Sequence, residues 1–204
     1  VLECSEISCI VKKIESRITV PVQDVRRHEP TLTYSIIPIN SKLYRKHQRE
    51  TVTAFIMASR RQADSAIKFY ESRAVHYDGT WHDDFTSRFV KHVDIEPGQQ
   101  VLDLACGTGL LTFLEADVVG PSGTVIGVDV TPSMLDVAKF KQRKAGVKYT
   151  NTTFLEGDVL HLEELEALKG KTFDVITIAS ALVLFQDPKA AIEHWSLFLK
   201  PGGI

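Results

Sequence analysis

Three aspartates and two glycines carry the spacing that could do chemistry in this chain. The stretch "VLDLACGTGL" (101–110) is an apolar run holding Asp103, followed by Gly107 and Gly109 one residue apart. Glycines so placed let the backbone approach a ligand closely and adopt positive φ. A helix beginning directly after them offers free N–H groups and a partial positive charge to an anionic group. Alone, this loop suits a dinucleotide, a phosphate or another ligand. Asp129 stands 20 residues after Gly109, at the end of "GVD". An acid there can hydrogen-bond both ribose hydroxyls of an adenosine and repels a 2′-phosphate. Asp158, at the end of "EGD", falls on the same rim and can accept from an adenine amino group. Three acids at successive strand ends disfavour a pyrophosphate and favour a cationic ligand that carries an amine.

The elements that must position these residues alternate between strand and helix. "QQVLDLAC", "TVIGVDV", "YTNTTFLEGDV" and "FDVITIAS" contain apolar runs suited to strands buried on both faces. Between them, "GLLTFLEADVV", "TPSMLDVAKFKQRKAG" and "HLEELEALKG" read as helices, and "DPKAAIEHWSLFL" as another. In the second of these Thr131 suits the N-cap, Pro132 the first turn and Gly146 the stop. The alternation predicts an α/β fold with a doubly wound, mainly parallel sheet and right-handed crossovers. In such sheets ligands sit at the carboxyl ends of the strands, where the strand order reverses. Upstream, apolar residues at three- and four-residue steps predict a helix over about 48–76, and "DDFTSRFVKHV" predicts a second, short one. Residues 1–47 are mildly basic and broken by Pro21, Pro30 and Pro38. They read as a weakly structured extension, with a docking arm as the alternative. The domain is therefore expected over 48–204, and Met57 could itself be a natural start.

Bulk composition excludes several classes. With 44% hydrophobic and 25% charged residues, the 204-residue chain has the make-up of an ordinary globular domain. A net charge of -2 gives no electrostatic case for nucleic acid or an anionic membrane. Cys4, Cys9 and Cys106 are too few and scattered for a disulfide framework or a zinc site, which favours a reducing, cytoplasmic setting. No apolar run is long enough for a membrane span.

The stretches "VLDLACGTGLL", "GTVIGVDVTPSMLDVAK", "LEGDVLHL", "FDVITIASALVLFQDP" and "LKPGG" resemble, in order and spacing, the Rossmann-like S-adenosylmethionine-dependent methyltransferases. The resemblance covers roughly residues 64–204. "FYESRAVHYDGTWHDDF" is similar to the N-terminal part of the family's small-molecule branch, which includes the ubiquinone/menaquinone biosynthesis methyltransferases. The resemblance implies S-adenosyl-L-methionine as cofactor, a small-molecule methyl acceptor and no metal. It places Asp103, Ala105, Gly107 and Gly109 around the methionine end. It assigns Asp129 and the adjacent Val130 to the ribose end and Met134 to the adenine face. Asp158 and Val159 would read the adenine edge, Ala179 and Ser180 would line the site after the fourth strand, and Tyr77 would close over the methionine carboxylate. Ala105 departs from the family pattern, where a third glycine is common. The implied reaction is in-line attack of an acceptor lone pair on the sulfonium methyl, with the protein supplying proximity and alignment. No residue is assigned as base: His76, His82 and His161 read as solvated or capping side chains. Trp81, Phe85 and Phe185 could line an apolar acceptor pocket, and core packing explains them equally well.

Other readings fit less well. A nicotinamide dehydrogenase shares the fold class, but Thr112 stands at the third glycine position and no Tyr is followed four residues later by Lys. "GKT" at 170–172 lacks the leading glycine of a phosphate loop, with Leu165 in its place. Cys106 has no placed base and reads as a packed small side chain. The chain begins with Val1 and stops at Ile204, just after "LKPGG". In the resembled family that motif leads into a fifth strand, a helix and an antiparallel hairpin, so the fold is expected to stop after the start of the fifth strand. The fourth strand would then be an apolar edge. Self-association, completion by a partner chain, and a cofactor-binding fragment without turnover are the alternatives that follow.

Overall fold

The computed structural model describes residues 60–204 and, before them, the backbone of two short strands. The chain divides into two compact units, Val1–Ala58 and Ser59–Ile204. In the first, β1 (Thr19–Val22) pairs antiparallel with β2 (Thr33–Ile36), Thr19 opposite Ile36. The rest of the extension read over 1–47, and the part of the helix expected over 48–59, lie outside the described residues.

The second unit is built on four parallel strands: β3 (Gln100–Leu104), β4 (Thr124–Asp129), β5 (Thr152–Glu156) and β6 (Val175–Ile178). Their order is β5-β4-β3-β6. The chain steps outward from β3 to β5, then returns to set β6 on the other side of β3. The order thus reverses at β3, and that is where the carboxyl-end crevice opens. The expected α/β, doubly wound parallel sheet is what the chain forms. At the outer edge of β6, the Ile176 N–H donates to the Ile204 carbonyl at 2.8 Å and the Ile204 N–H donates to the Asp174 carbonyl at 3.0 Å. The start of a fifth strand is visible in that pairing.

Period two along β3 sets the layers. Leu102 and Leu104 join Ile126, Val128, Phe173 and Trp195 in one core. Val101 joins Val125, Val175, Ala116 and Val119 on the opposite face, beneath α3 (Leu110–Val119). Each fully buried valine or leucine among them is worth about 1.5–3 kcal/mol of burial. Asp103 shares the Val101 face, so its carboxyl lies under α3 in the core.

The other helices follow local signals. α1 covers residues 60–71, and α2 (Trp81–Phe89) begins at Thr80, whose hydroxyl accepts from the His82 N–H. α4 (Pro132–Lys144) has proline in its first turn and stops at Ala145, with Gly146 at φ +65°. Thr131 holds the N-cap position without a side-chain capping bond, and its own N–H donates to the Asp129 carboxylate. α5 (Pro188–Ser196) is capped by Asp187, which accepts from the Ala190 N–H.

Two elements differ from the sequence reading. The first helix stops at residue 71, not 76: apolar periodicity ends at Tyr70, Val75 is exposed, and the Arg73 N–H closes a tight turn on the Tyr70 carbonyl. The segment "HLEELEALKG" is not one helix but two short 3-10 pieces, Val159–Glu164 and Glu166–Leu168. Leu162, Leu165 and Leu168 recur every three residues, the 3-10 period, and all three pack into the core.

Candidate functional site

A cavity of about 380 Å³ opens between the carboxyl ends of β3–β6 and α1. Its floor is the loop after β3. Gly107 and Gly109 sit at φ +54° and +78°, in the left-handed region, and so does Ala105 at +53°. The Cys106 N–H donates to the Val128 carbonyl at 3.1 Å, tying the loop to β4. A Cβ added to Gly107 would meet nothing within 4 Å, so the space over the loop is open to a ligand. At Gly109 the constraint comes from beneath: a Cβ would stand 2.9 Å from the Phe154 ring.

Asp129 ends β4 at the cavity wall and is only 8% exposed. Its Oδ2 accepts from the Gly107 N–H at 2.8 Å and its Oδ1 from the Thr131 N–H at 2.8 Å. Burial pushes its carboxyl up from the ordinary value, and the two N–H donors pull it back toward the charged form. The Thr131 hydroxyl and the Val130 N–H also stand near enough to favour the charged form. Asp158, just after β5, accepts from the Leu160 N–H at 2.9 Å. Its neighbour Val159 is held from behind, because the buried Trp195 indole donates to the Val159 carbonyl at 2.7 Å. Across the cavity, Ser180 after β6 is a second non-glycine residue in the left-handed region, at φ +62°. Strained residues at two strand ends facing one cavity fit a site where geometry is set by function.

Tyr77 lines the same cavity from the segment between α1 and α2. Its ring stacks on His82 at 4.2 Å and meets Tyr70 edge-on at 6.2 Å. Burial, aided by nearby Tyr70 and acidic groups, drives its hydroxyl well above the usual phenol value, so it stays a donor.

Ten of the twelve residues singled out from the sequence therefore line one cavity: Tyr77, Ala105, Gly107, Asp129, Val130, Met134, Asp158, Val159, Ala179 and Ser180. Gly109 lies just behind the loop, against Phe154 and Phe113. Asp103 is 1% exposed under α3, where its Oδ2 accepts from the Thr112 hydroxyl at 2.6 Å. Burial pushes its carboxyl up to about 7, against the pull of the Thr112 bond and with the help of the Asp129 charge. Glu115 is fully buried on α3, and neither carboxyl oxygen has a hydrogen-bond partner. Burial, then the Asp103 charge, raises it well above its ordinary value. The Thr177 hydroxyl stands close enough to lower both acids, but makes no hydrogen bond of ordinary geometry to either.

The sequence reading missed the α1 wall. Gln62, Ala66, Phe69 and Tyr70 line the cavity at helical spacing, and the Gln62 side-chain amide donates to the Leu184 carbonyl at 2.7 Å. Their periodicity signals a helix face but not what it covers. Of the aromatic residues considered for an acceptor pocket, Phe185 lines the cavity, and Trp81 and Phe85 do not. None of His76, His82 and His161 lines it either.

A family model described as "Methyltransferase domain" matches residues 95–204. The chain is 37% identical over 122 residues to a demethylmenaquinone methyltransferase of Lactococcus lactis, covering 60% of this chain and 46% of that protein. It is 36% identical over 152 residues to the ubiquinone/menaquinone biosynthesis C-methyltransferase UbiE of Shewanella oneidensis, covering 70% of this chain and 58% of that one. The chain thus spans about half the length of the curated relatives it matches. In fold it is similar to the magnesium protoporphyrin IX methyltransferase of Synechocystis, with a TM-score of 0.54 at 19% identity over 68% of this chain and 72% of that one. The family match covers more than half of the 204 residues and takes in the four-stranded sheet and the strand-end side of the cavity, while the α1 wall and Tyr77 precede it. The chain belongs to the methyltransferase-domain family.

Proposed function

We propose that the cavity binds S-adenosylmethionine and that the domain serves transfer of its methyl group to a small, quinone-type acceptor. The observation that carries this reading is Asp129: a nearly buried carboxylate at the end of β4, facing the cavity and clamped to the glycine loop through the Gly107 N–H. An acid in that position suits a ribose diol and repels a 2′-phosphate. The open space over Gly107 admits the amino-acid end of the cofactor, and Asp158 stands where an adenine amino group can donate. When bound, the cofactor supplies an activated sulfonium methyl. The residues of this chain then hold and orient it: Asp129 at the ribose, Met134 and Val159 on the adenine, Ala105, Gly107 and Tyr77 at the amino-acid end.

The quinone-type acceptor is supported by the names of the relatives and by the apolar α1 side of the cavity, where Phe69, Leu184 and Phe185 form the wall. Among the described residues no helix is long and apolar enough to cross a membrane.

Calorimetric titration of the full chain with S-adenosylmethionine tests the reading. Binding is expected, and Asp129→Ala should weaken it by about 1–3 kcal/mol, the scale for buried hydrogen-bonding groups left without partners. An absence of heat at near-millimolar ligand would sink the cofactor assignment. Unchanged affinity in the variant would refute the ribose role of Asp129.

A further inference from the structure

Tyr77 reaches the cavity from a short segment with little regular structure, between α1 and α2. Something must hold that segment against the domain. We propose that Asp78 is a positioning residue: together with Thr108 and Lys141 it latches the Tyr77 segment to the glycine loop and to α4, and so fixes Tyr77 over the site. The inference rests on the cofactor reading only for what Tyr77 acts on.

The latch is a three-way junction. Thr108, between the two glycines of the loop, is 0% exposed, and its hydroxyl donates to Asp78 Oδ1 at 2.5 Å. Lys141, near the end of α4, donates from Nζ to Asp78 Oδ2 at 2.7 Å. The partners lie 30 and 63 residues from Asp78 in sequence, so one carboxylate joins three separate elements. The two charged side chains are 27% and 33% exposed, which removes part of the solvent screening that weakens surface pairs. Lys141 is placed by its own packing, with Nζ 5.5 Å over the Phe113 ring, the ring that also lies against Gly109.

The other end of the segment is pinned separately. The Thr80 hydroxyl donates to the Tyr77 carbonyl at 2.8 Å, and the Gly79 N–H donates to Asp83 Oδ2 at 2.9 Å. These bonds fold residues 77–80 onto the start of α2. They do not attach the segment to the glycine loop, and Asp78 does. Asp78 itself does not line the cavity; its effect on a ligand must pass through Tyr77 on one side and Gly107 and Gly109 on the other. Removing the carboxylate leaves a fully buried hydroxyl without an acceptor and a half-buried ammonium without a partner.

The test compares wild type, Asp78→Asn, Asp78→Ala and Lys141→Met as full chains. The readouts are amide hydrogen exchange and calorimetric titration with S-adenosylhomocysteine, the thioether product of the cofactor. Asp78→Asn keeps an acceptor for Thr108 and loses the ion pair, so the expected order of effect is Ala greater than Asn, with Lys141→Met close to Asn. Amides of 77–80 should exchange about tenfold or more faster in Asp78→Ala, while those of β3, β4 and β5 keep their protection. Affinity should fall by about tenfold in the same variant, the scale of one lost charge-assisted hydrogen bond. Exchange at 77–80 equal to wild type overturns the latch. So does a uniform loss of protection across the sheet, which would mark a merely structural residue. Unchanged affinity in Asp78→Ala, with wild type binding, overturns the link to the ligand. If wild type itself does not bind S-adenosylhomocysteine, the cofactor reading fails, and exchange at 77–80 alone decides the latch.

Discussion

Asp103→Asn should flatten the dependence of stability on pH. Asp103 is sealed beneath α3, and burial lifts its carboxyl from the ordinary 3.8 to about 7. Between those values the native state keeps a proton that the unfolded chain has released. The native state then binds more protons, so the free energy of unfolding falls as pH rises. The stability associated with this group is complete below about pH 4 and is lost as pH climbs to about 7. A rise of roughly three units at about 1.4 kcal/mol each gives a loss of about 4 kcal/mol across the window. Glu115 is displaced in the same direction by the same cause, so the wild-type slope includes both acids. Asparagine has nearly the same shape and its Oδ1 can still accept from the Thr112 hydroxyl, but it does not titrate. Urea unfolding followed by far-ultraviolet circular dichroism at pH 4, 5, 6 and 7 measures the effect. The stability of the variant relative to wild type should rise by about 4 kcal/mol from the lowest pH to the highest. Parallel curves would show that Asp103 is ionised in the folded protein across the whole window, and the reasoning from burial would be refuted.

Two further substitutions probe the frame of the site. Gly109→Ala sets a Cβ 2.9 Å from the Phe154 ring at a φ of +78°, and thermal unfolding should show a loss of about 1–3 kcal/mol; a neutral result would mean the loop relaxes freely. Trp195→Phe removes the indole donor from the Val159 carbonyl, and should cost about 1–3 kcal/mol in urea unfolding and weaken ligand binding through the Val159 wall; an unchanged affinity would separate α5 from the site.

Much of the site could be read from the sequence because its residues lie at strand ends, and strand ends are local events. Gly107, Asp129 and Asp158 each follow an apolar run and precede a helix or turn signal, so their common rim follows once the sheet is parallel. Asp103 shows where that logic stops. It is one residue short of the end of β3, and period two turns it under α3. The apolar pattern gives the alternation but not which face a given helix covers. Ala105 teaches a second limit. In the sequence it is simply a small residue where glycine is common. In the structure the requirement is a φ of +53°, a matter of backbone angle and not of size. Ser180 has the same conformation at φ +62° with no sequence signal at all. The α1 wall and the Asp78 junction were not legible for a different reason: both are contacts between segments far apart in the chain, and no spacing rule relates Gln62 to Leu184 or Asp78 to Lys141. The 3-10 pieces at 159–168 were legible in principle, since three-residue leucine spacing differs from the helical 3.6.

The clamp on Asp129 has a consequence for how tightly any hydroxyl ligand can be held. A free aspartate at the mouth of a cavity must give up rotamer freedom when a diol docks on it, and that ordering subtracts from affinity. Here the Gly107 and Thr131 N–H groups have already immobilised the carboxylate. The entropic cost was met when the chain folded, so an arriving hydroxyl ligand meets a carboxylate that is already pre-organised. The same two bonds make the loop and the start of α4 report on one another: a change that loosens either end reorients the whole carboxylate at once.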